Sequence, residues 1–174
     1  MRQIFILGPK HSGKTCVGKE LALLLKCNFT DLDVLIEEQT GKTSRDLYIE
    51  SQELFEKAEK NALEASLLLK ETNAFHIIAC GGGIIDNPKA FDLLKNAKNA
   101  VSVCLVVSAD TAWQRINAKG MLPPFLNTEK PGENHRNLHK RRCEEYQKLA
   151  CIKINANSLS PNEIAAQITE KLQD

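Results

Sequence analysis

The stretch Gln3-Ile4-Phe5-Ile6-Leu7-Gly8-Pro9-Lys10-His11-Ser12-Gly13-Lys14-Thr15 decides how this chain must fold. Its first five residues form a short β-prone run, and residues 16–26, rich in leucine and alanine, suit a helix buried along one face. Between them, Gly8 to Thr15 follows the pattern G-x-x-x-x-G-K-[ST]. Strand, glycine-containing loop and helix, in that order, is the context in which this pattern makes a phosphate-binding loop, or P-loop. The glycines let the backbone wrap a phosphate with successive N–H donors pointing inward, and the helix N-terminus adds the positive end of its dipole. In such a loop Lys14 reaches the β- and γ-phosphates and the Thr15 hydroxyl ligates magnesium. The plain alternative is an ordinary glycine turn, but from average residue usage a chance match in a chain of this size is below roughly 1%. The pattern therefore assigns nucleotide binding to Gly8, Pro9, Lys10, His11, Ser12, Gly13, Lys14, Thr15 and the adjoining Cys16.

Outward from this loop, residues 27–33 read as a short extended segment and residues 35–39 as a helical turn ended by Thr40-Gly41. Over residues 51–71 the positions Leu54, Phe55, Ala58, Ala62, Leu63, Ala65, Leu68 and Leu69 have helical spacing, with charges on the other side, which predicts one long amphipathic helix. The runs 75–80 and 101–107 are predominantly apolar, the right length for strands buried on both faces. Strands alternating with helices imply a parallel sheet. Residues 108–117 look helical. The following stretch, 119–134, holds Gly120, Pro123, Pro124, Pro131 and Gly132 and can be neither a continuous helix nor a strand. A polar loop this long suits a lid, placed at about residues 117–137. A helical pattern resumes over 138–149, a last strand covers 151–154, and Ser160-Pro161 opens a C-terminal helix. With no internal repeat and no low-complexity tract, the expectation is one α/β domain over residues 1–174. It would be a three-layer P-loop NTPase fold, with a central parallel β-sheet flanked by helices and a flexible lid.

The composition agrees with a single soluble domain: in 174 residues, 43% are hydrophobic and 5% aromatic. A fold of this size buries roughly 70% of the surface its unfolded chain exposes, enough for a core without staples. The balance of 23 basic and 22 acidic side chains lacks the footprint that binding a nucleic-acid backbone needs. Six scattered cysteines, with no Cys-x-x-Cys pair and no secretory leader, read as reduced thiols serving as small apolar residues. The apolar runs fall far short of the ~20 residues of a membrane helix. Cytoplasmic residence is expected, with no nucleic-acid or membrane partner.

Asp31 and Asp33 are one residue apart, so on an extended segment both carboxylates face the same side as the P-loop. One can hold magnesium through water while the other accepts a proton from a substrate hydroxyl. The same spacing also suits Asp33 as a simple N-cap for the helix near Leu35. Gly81-Gly82-Gly83 follows a buried strand and exposes backbone N–H groups at the sheet edge where α/β folds bind ligands, a loose turn being the alternative. His135 and His139 are four apart, but with no carboxylate or cysteine cluster they read as two solvated lid residues. The run His139-Lys140-Arg141-Arg142 reads as a solvated helix face from which one arginine can turn inward over a polyphosphate. Trp113 and Phe125 read as packing residues.

Taken together, these motifs resemble the shikimate kinases, P-loop phosphotransferases that move the γ-phosphate of ATP to a hydroxyl of shikimate. The resemblance spans essentially the whole chain. The segment Phe29-Thr30-Asp31-Leu32-Asp33-Val34-Leu35-Ile36-Glu37 is similar to the family's D-x-D element ahead of an I-E pair. The Thr40-Gly41 turn, the Phe55-x-x-x-Glu59 frame, the triple glycine, the proline-rich loop and Arg142 four residues before Tyr146 fall in family order. The resemblance implies ATP and Mg2+, with Thr15 and Asp31 at the metal and Lys14 and Asp33 catalytic. It implies an acceptor site of Asp33, Glu56, Gly81, Gly82, Gly83 and Arg142, the last on the acceptor carboxylate. Arg115 is similar to the arginine that lies against adenine, and Pro161 falls where a loop closes on the adenine edge. The implied partner is a small molecule, shikimate or a similar polyol acid, acted on by a monomer in aromatic amino acid biosynthesis.

Two positions depart from the pattern. The family's F-R-x-x-E motif has arginine after the phenylalanine, and this chain has Glu56. A carboxylate facing a like charge instead of a bidentate partner can lose several kcal/mol in a partly buried site. The adjacent Lys57 lies about 100° away around a helix. The family's R-P dipeptide in the lid aligns with Leu122-Pro123, leaving Arg136 or Lys130 as candidate substitutes. These departures leave open a kinase of the same fold for another hydroxylated acceptor, or a nucleotide-binding protein with little transfer activity.

Overall fold

The computed structural model describes residues 1–69, 73–118, 120 and 122–173. The strand that precedes the P-loop, β1 (Arg2–Leu7), lies at the centre of a five-stranded sheet. Its neighbours are β3 (Phe75–Ala79) and β4 (Ala100–Val106), with β2 (Asn28–Asp31) and β5 (Ile152–Asn155) outside them. Every pairing is parallel, with Ile4 level with both Ile77 and Val101.

Alternation along β1 divides the core. Ile4 and Ile6 face one side, packed with Val17 and Leu21 of α1 (Lys14–Leu25) and Ile164 and Ile168 of α8 (Pro161–Lys171). Phe5 and Leu7 face the other, with Leu32 and Ile36 of α2 (Leu32–Thr40), Leu63 of α4 (Gln52–Leu68), Leu94 of α5 (Pro88–Asn96) and Tyr146 of α7 (Pro131–Leu149). Ile4, Phe5, Ile6 and Leu7 are all fully buried, which is why these four consecutive positions are apolar. The result is the expected three-layer sandwich, completed by α3 (Ser44–Glu50) and α6 (Ala109–Ala118).

Several boundaries differ from the sequence expectation. Helix α2 begins at Leu32, so Asp33 sits in its first turn rather than on the strand, and Asp31 is the N-cap. Helices α3 and α5 carry no long apolar stripe to announce them. Each instead begins with a cap, Thr43 accepting from the Asp46 amide and Asn87 from the Ala90 amide. The expected helix end at Glu71 lies outside the described residues, as does Lys119. Pro131 opens α7, so the stretch expected as irregular loop up to Asn134 is helical from 131 onward. His135 and His139 are accordingly buried rather than solvated: the Trp113 ring lies against His135, centroids 5.1 Å apart, and His135 in turn against His139 at 5.5 Å. Cys80, Cys104 and Cys143 are buried as expected of small apolar residues, whereas Cys16 and Cys151 are exposed.

Helix α8 starts with a full capping box, Ser160 Oγ accepting the Glu163 amide while the Glu163 carboxylate accepts the Ser160 N–H. Ser160→Ala should lower stability by about 1 kcal/mol in equilibrium urea unfolding, with no change in the slope of the transition.

Candidate active site

After β3 the chain crosses from one half of the sheet to the other, so a crevice opens beyond the carboxyl ends of β1 and β3. A cavity of about 840 Å³ occupies it. Lys10 to Cys16, Asp31, Asp33, Glu56, Gly81 to Gly83, Arg115, Arg142 and Pro161 all line this one cavity. Gly8 and Pro9 do not, because they form the base of the loop. Gly8 has φ 142°, and a Cβ there would lie 2.7 Å from the Leu105 carbonyl oxygen, so the turn out of β1 admits only glycine.

The phosphate end is built from backbone. Helices α2, α3, α4, α5 and α8 each have a side-chain cap, but α1 has none: its N-cap, Gly13, leaves the first-turn N–H groups without one. A helix start of this kind favours an anion. Beside it the Ser12 hydroxyl is buried without a hydrogen-bond partner among the described residues, a polar atom that a phosphate oxygen would satisfy. Lys14 Nζ donates to the Pro9 carbonyl at 2.9 Å. Burial brings its ammonium down to about 8, against the pull of the Asp33 charge.

A chain of short contacts leads from the P-loop to the acceptor end. Thr15 Oγ1 donates to Asp31 Oδ2 at 2.5 Å, and Asp31 Oδ1 accepts the Asp33 amide at 3.0 Å. Ser44 Oγ then donates to Asp33 Oδ1 at 2.7 Å, fixing one carboxylate oxygen. Thr15 and Asp31 together offer hydroxyl and carboxylate oxygens, the donor set that suits a hard divalent cation.

At the acceptor end, Glu56 accepts from Gln52 Nε2 at 2.7 Å and faces the cavity, whereas Lys57 is exposed and does not line it. Arg142 is turned inward, as one member of the basic run was expected to be. It is held there by Asp86, with Nη2 at 2.7 Å and Nε at 2.8 Å from Oδ2. Arg141 pairs with the other oxygen of the same carboxylate at 2.7 Å. Burial opposes the Asp86 charge, but the two arginines outweigh it and hold the carboxyl below its usual range. Phe125, expected only to pack, also lines the cavity; the Arg142 guanidinium lies 5.0 Å from its ring centroid. The two proposed substitutes for the lid arginine are absent from the cavity: Arg136 pairs with Asp110 at 3.8 Å and Lys130 with Glu133 at 3.6 Å.

Sequence reasoning missed Ser44, Arg45, Tyr48, Asp86 and Asn87, all in the cavity wall. Of these only Asp86 and Asn87 carried a signal, as the polar pair that closes the triple-glycine turn.

A family profile described as shikimate kinase matches residues 10–173. The chain belongs to the shikimate kinase family. The shikimate kinase of Streptococcus gordonii is 37% identical over 163 residues, covering 92% of this chain and 94% of its own. That of Lactococcus lactis subsp. lactis is 34% identical over 169 residues, covering 97% and 96%. The solved shikimate kinase of Acinetobacter baumannii, in complex with shikimate, superposes with a TM-score of 0.86 at 29% identity, over 99% of this chain and 93% of that one. Membership makes this chain a phosphotransferase acting on an alcohol group, with ATP as the expected donor.

Within this family member Glu59 is an unusual group. It is 1% exposed, and among the described residues its only direct side-chain hydrogen bond comes from the Asn87 amide at 3.1 Å. Burial pushes its carboxyl up to about 7, with Asn87 and Arg142 opposing and Asp33 and Glu56 reinforcing the shift. Between the ordinary carboxyl value of 4.5 and about 7 the folded protein holds a proton that the unfolded chain has released, so this group removes stability as pH rises through that window. The loss is on the order of 3 kcal/mol. Urea unfolding from pH 4.5 to 8 should show wild type losing that much relative to Glu59→Gln; buried His135 and His139 titrate in both and cancel.

Proposed function

We propose that this chain transfers the γ-phosphate of ATP to a hydroxyl of shikimate, as the names of its relatives indicate for those proteins. The observation that carries the reading is the single cavity in which the P-loop, Asp31 with Asp33, and Arg142 with the triple glycine meet.

The donor's triphosphate lies along the P-loop, taking the uncapped amides of α1, the Ser12 hydroxyl and Lys14. Binding phosphate draws Lys14 Nζ from the Pro9 carbonyl and restores its full charge. Arg115 and Pro161 border the nucleobase end. Thr15 and Asp31 would hold Mg2+, which when bound supplies positive charge against the phosphate oxygens. The acceptor hydroxyl stands between Asp33 and the γ-phosphate. Its oxygen attacks phosphorus in line, the bond to the β–γ bridging oxygen breaks, and the proton passes to Asp33. Because Ser44 occupies Oδ1, the free Oδ2 is the oxygen that takes it. The segment 122–130, carrying Phe125 over the acceptor end, acts as the lid that excludes water. The chain works as a single cytoplasmic unit in aromatic amino acid biosynthesis; no described helix is long and apolar enough to cross a membrane.

A second reading, transfer to a different hydroxylated acceptor, is favoured by Glu56, which puts an anion on the cavity wall. Acceptor-dependent ADP release separates the two. With Mg-ATP, shikimate should stimulate turnover, and an uncharged cyclic polyol should not; the reverse order would overturn the assignment. Lys14→Ala should reduce turnover by at least about a hundredfold while urea unfolding stays cooperative. Glu56→Arg should lower the KM for shikimate by about tenfold, since a like charge becomes a bidentate partner.

A further inference from the structure

Shikimate carries one carboxylate, and an anion leaving water needs cations with unoccupied donors. The acceptor end is short of them. Asp33, Glu56, Glu59 and Asp86 bring four carboxyl groups to the cavity, and Arg142 is already engaged by Asp86 at 2.7 Å. Arg45 is in a different state. It lines the same cavity, half-buried, and among the described residues it makes no ion pair. Among the described residues its single hydrogen-bond partner is the carbonyl of Leu122, which accepts from Nη1 at 2.7 Å.

That one bond sets where the guanidinium lies. Arg45 stands in the first turn of α3, and Leu122 belongs to the segment that continues into a 3-10 turn at Pro124–Leu126. Phe125 in that turn packs edge-on against Tyr48, one helical turn beyond Arg45, with centroids 6.3 Å apart. The same ring lies under Arg142. Tyr48 and Arg142 thus meet at one aromatic side chain, and Arg45 and Arg142 line the same cavity. A guanidinium has five donors in a rigid fork, so a bond from one terminal nitrogen leaves others for a carboxylate.

We infer that Arg45 binds the carboxylate of the acceptor, and that its bond to Leu122 couples that recognition to the segment covering the cavity. The inference rests on the assignment of shikimate as acceptor. It makes Arg45 a specificity-determining residue on an element no motif identifies.

Removal of the acceptor's charge provides the test. KM for shikimate, for its methyl ester and for ATP should be measured with wild type, Arg45→Met and Arg45→Lys. Arg45→Met should raise the KM for shikimate by about tenfold or more and leave that for the methyl ester and for ATP within about twofold; Arg45→Lys should recover part of the loss. An equal rise for both acceptors would reduce Arg45 to a support for residue 122 and overturn the inference, and so would an unchanged KM for shikimate. Unaltered ATP saturation in the variants reports an intact cavity. Wild-type protein that binds ATP but is idle with shikimate would overturn the acceptor assignment itself, and this inference with it.

Discussion

Both faces of β1 must stay dry, and the rest of the molecule follows from that requirement. A strand with Ile4 and Ile6 on one side and Phe5 and Leu7 on the other cannot lie at an edge or face water. It needs a parallel neighbour on each flank and a helical layer above and below. Once β1 is central, the loop after it emerges at the middle of the sheet, where the chain reverses its order of addition, and α1 returns directly beneath. The P-loop is thus placed by hydrophobic burial before any phosphate contact is made, and β2 and β3 deliver Asp31 and the triple glycine to the same edge because parallel strands end on the same side.

This dependence explains what could be read in the sequence. The strands were legible because burial on two faces leaves predominantly apolar runs, with His76 of β3 and Ser102 of β4 as buried exceptions, and the P-loop because its backbone demands glycine at fixed positions. Helices α3 and α5 were not, since seven and nine residues give too few turns for a stripe to stand out. Asp33 was placed on a strand because a two-residue spacing fits both a strand face and the junction with a helix. The structure takes the second form, with Asp31 as cap, yet both carboxylates still reach the cavity. His135 and His139 misled for another reason: polar residues at helical spacing look solvated until a distant aromatic, Trp113, folds against one of them and that ring against the other.

The acceptor end shows how local charges rearrange around a substitution. Glu56 is fixed by Gln52, Asp86 gathers Arg141 and Arg142, and Glu59 keeps a proton near neutrality. Each of these three acids is satisfied individually, so this end of the cavity tolerates them without a compensating cluster of free bases. None of these pairings could be read from composition, because a net charge of +1 says nothing about which side of a cleft each charge occupies.

Arg115 has a consequence at the opposite end. Its Nη1 donates to the His11 carbonyl and its Nη2 to those of Ala156 and Asn157, which ties the P-loop to the turn between β5 and α8. With both terminal nitrogens committed to backbone, the side chain has little edge left for reading a base and presents a flat cationic surface. Stacking on such a surface accepts any heterocycle, since every base has a π-face. On the proposed placement of the donor, discrimination between nucleobases would then fall to the main chain near Pro161, to the shape of a loop and not to a side chain.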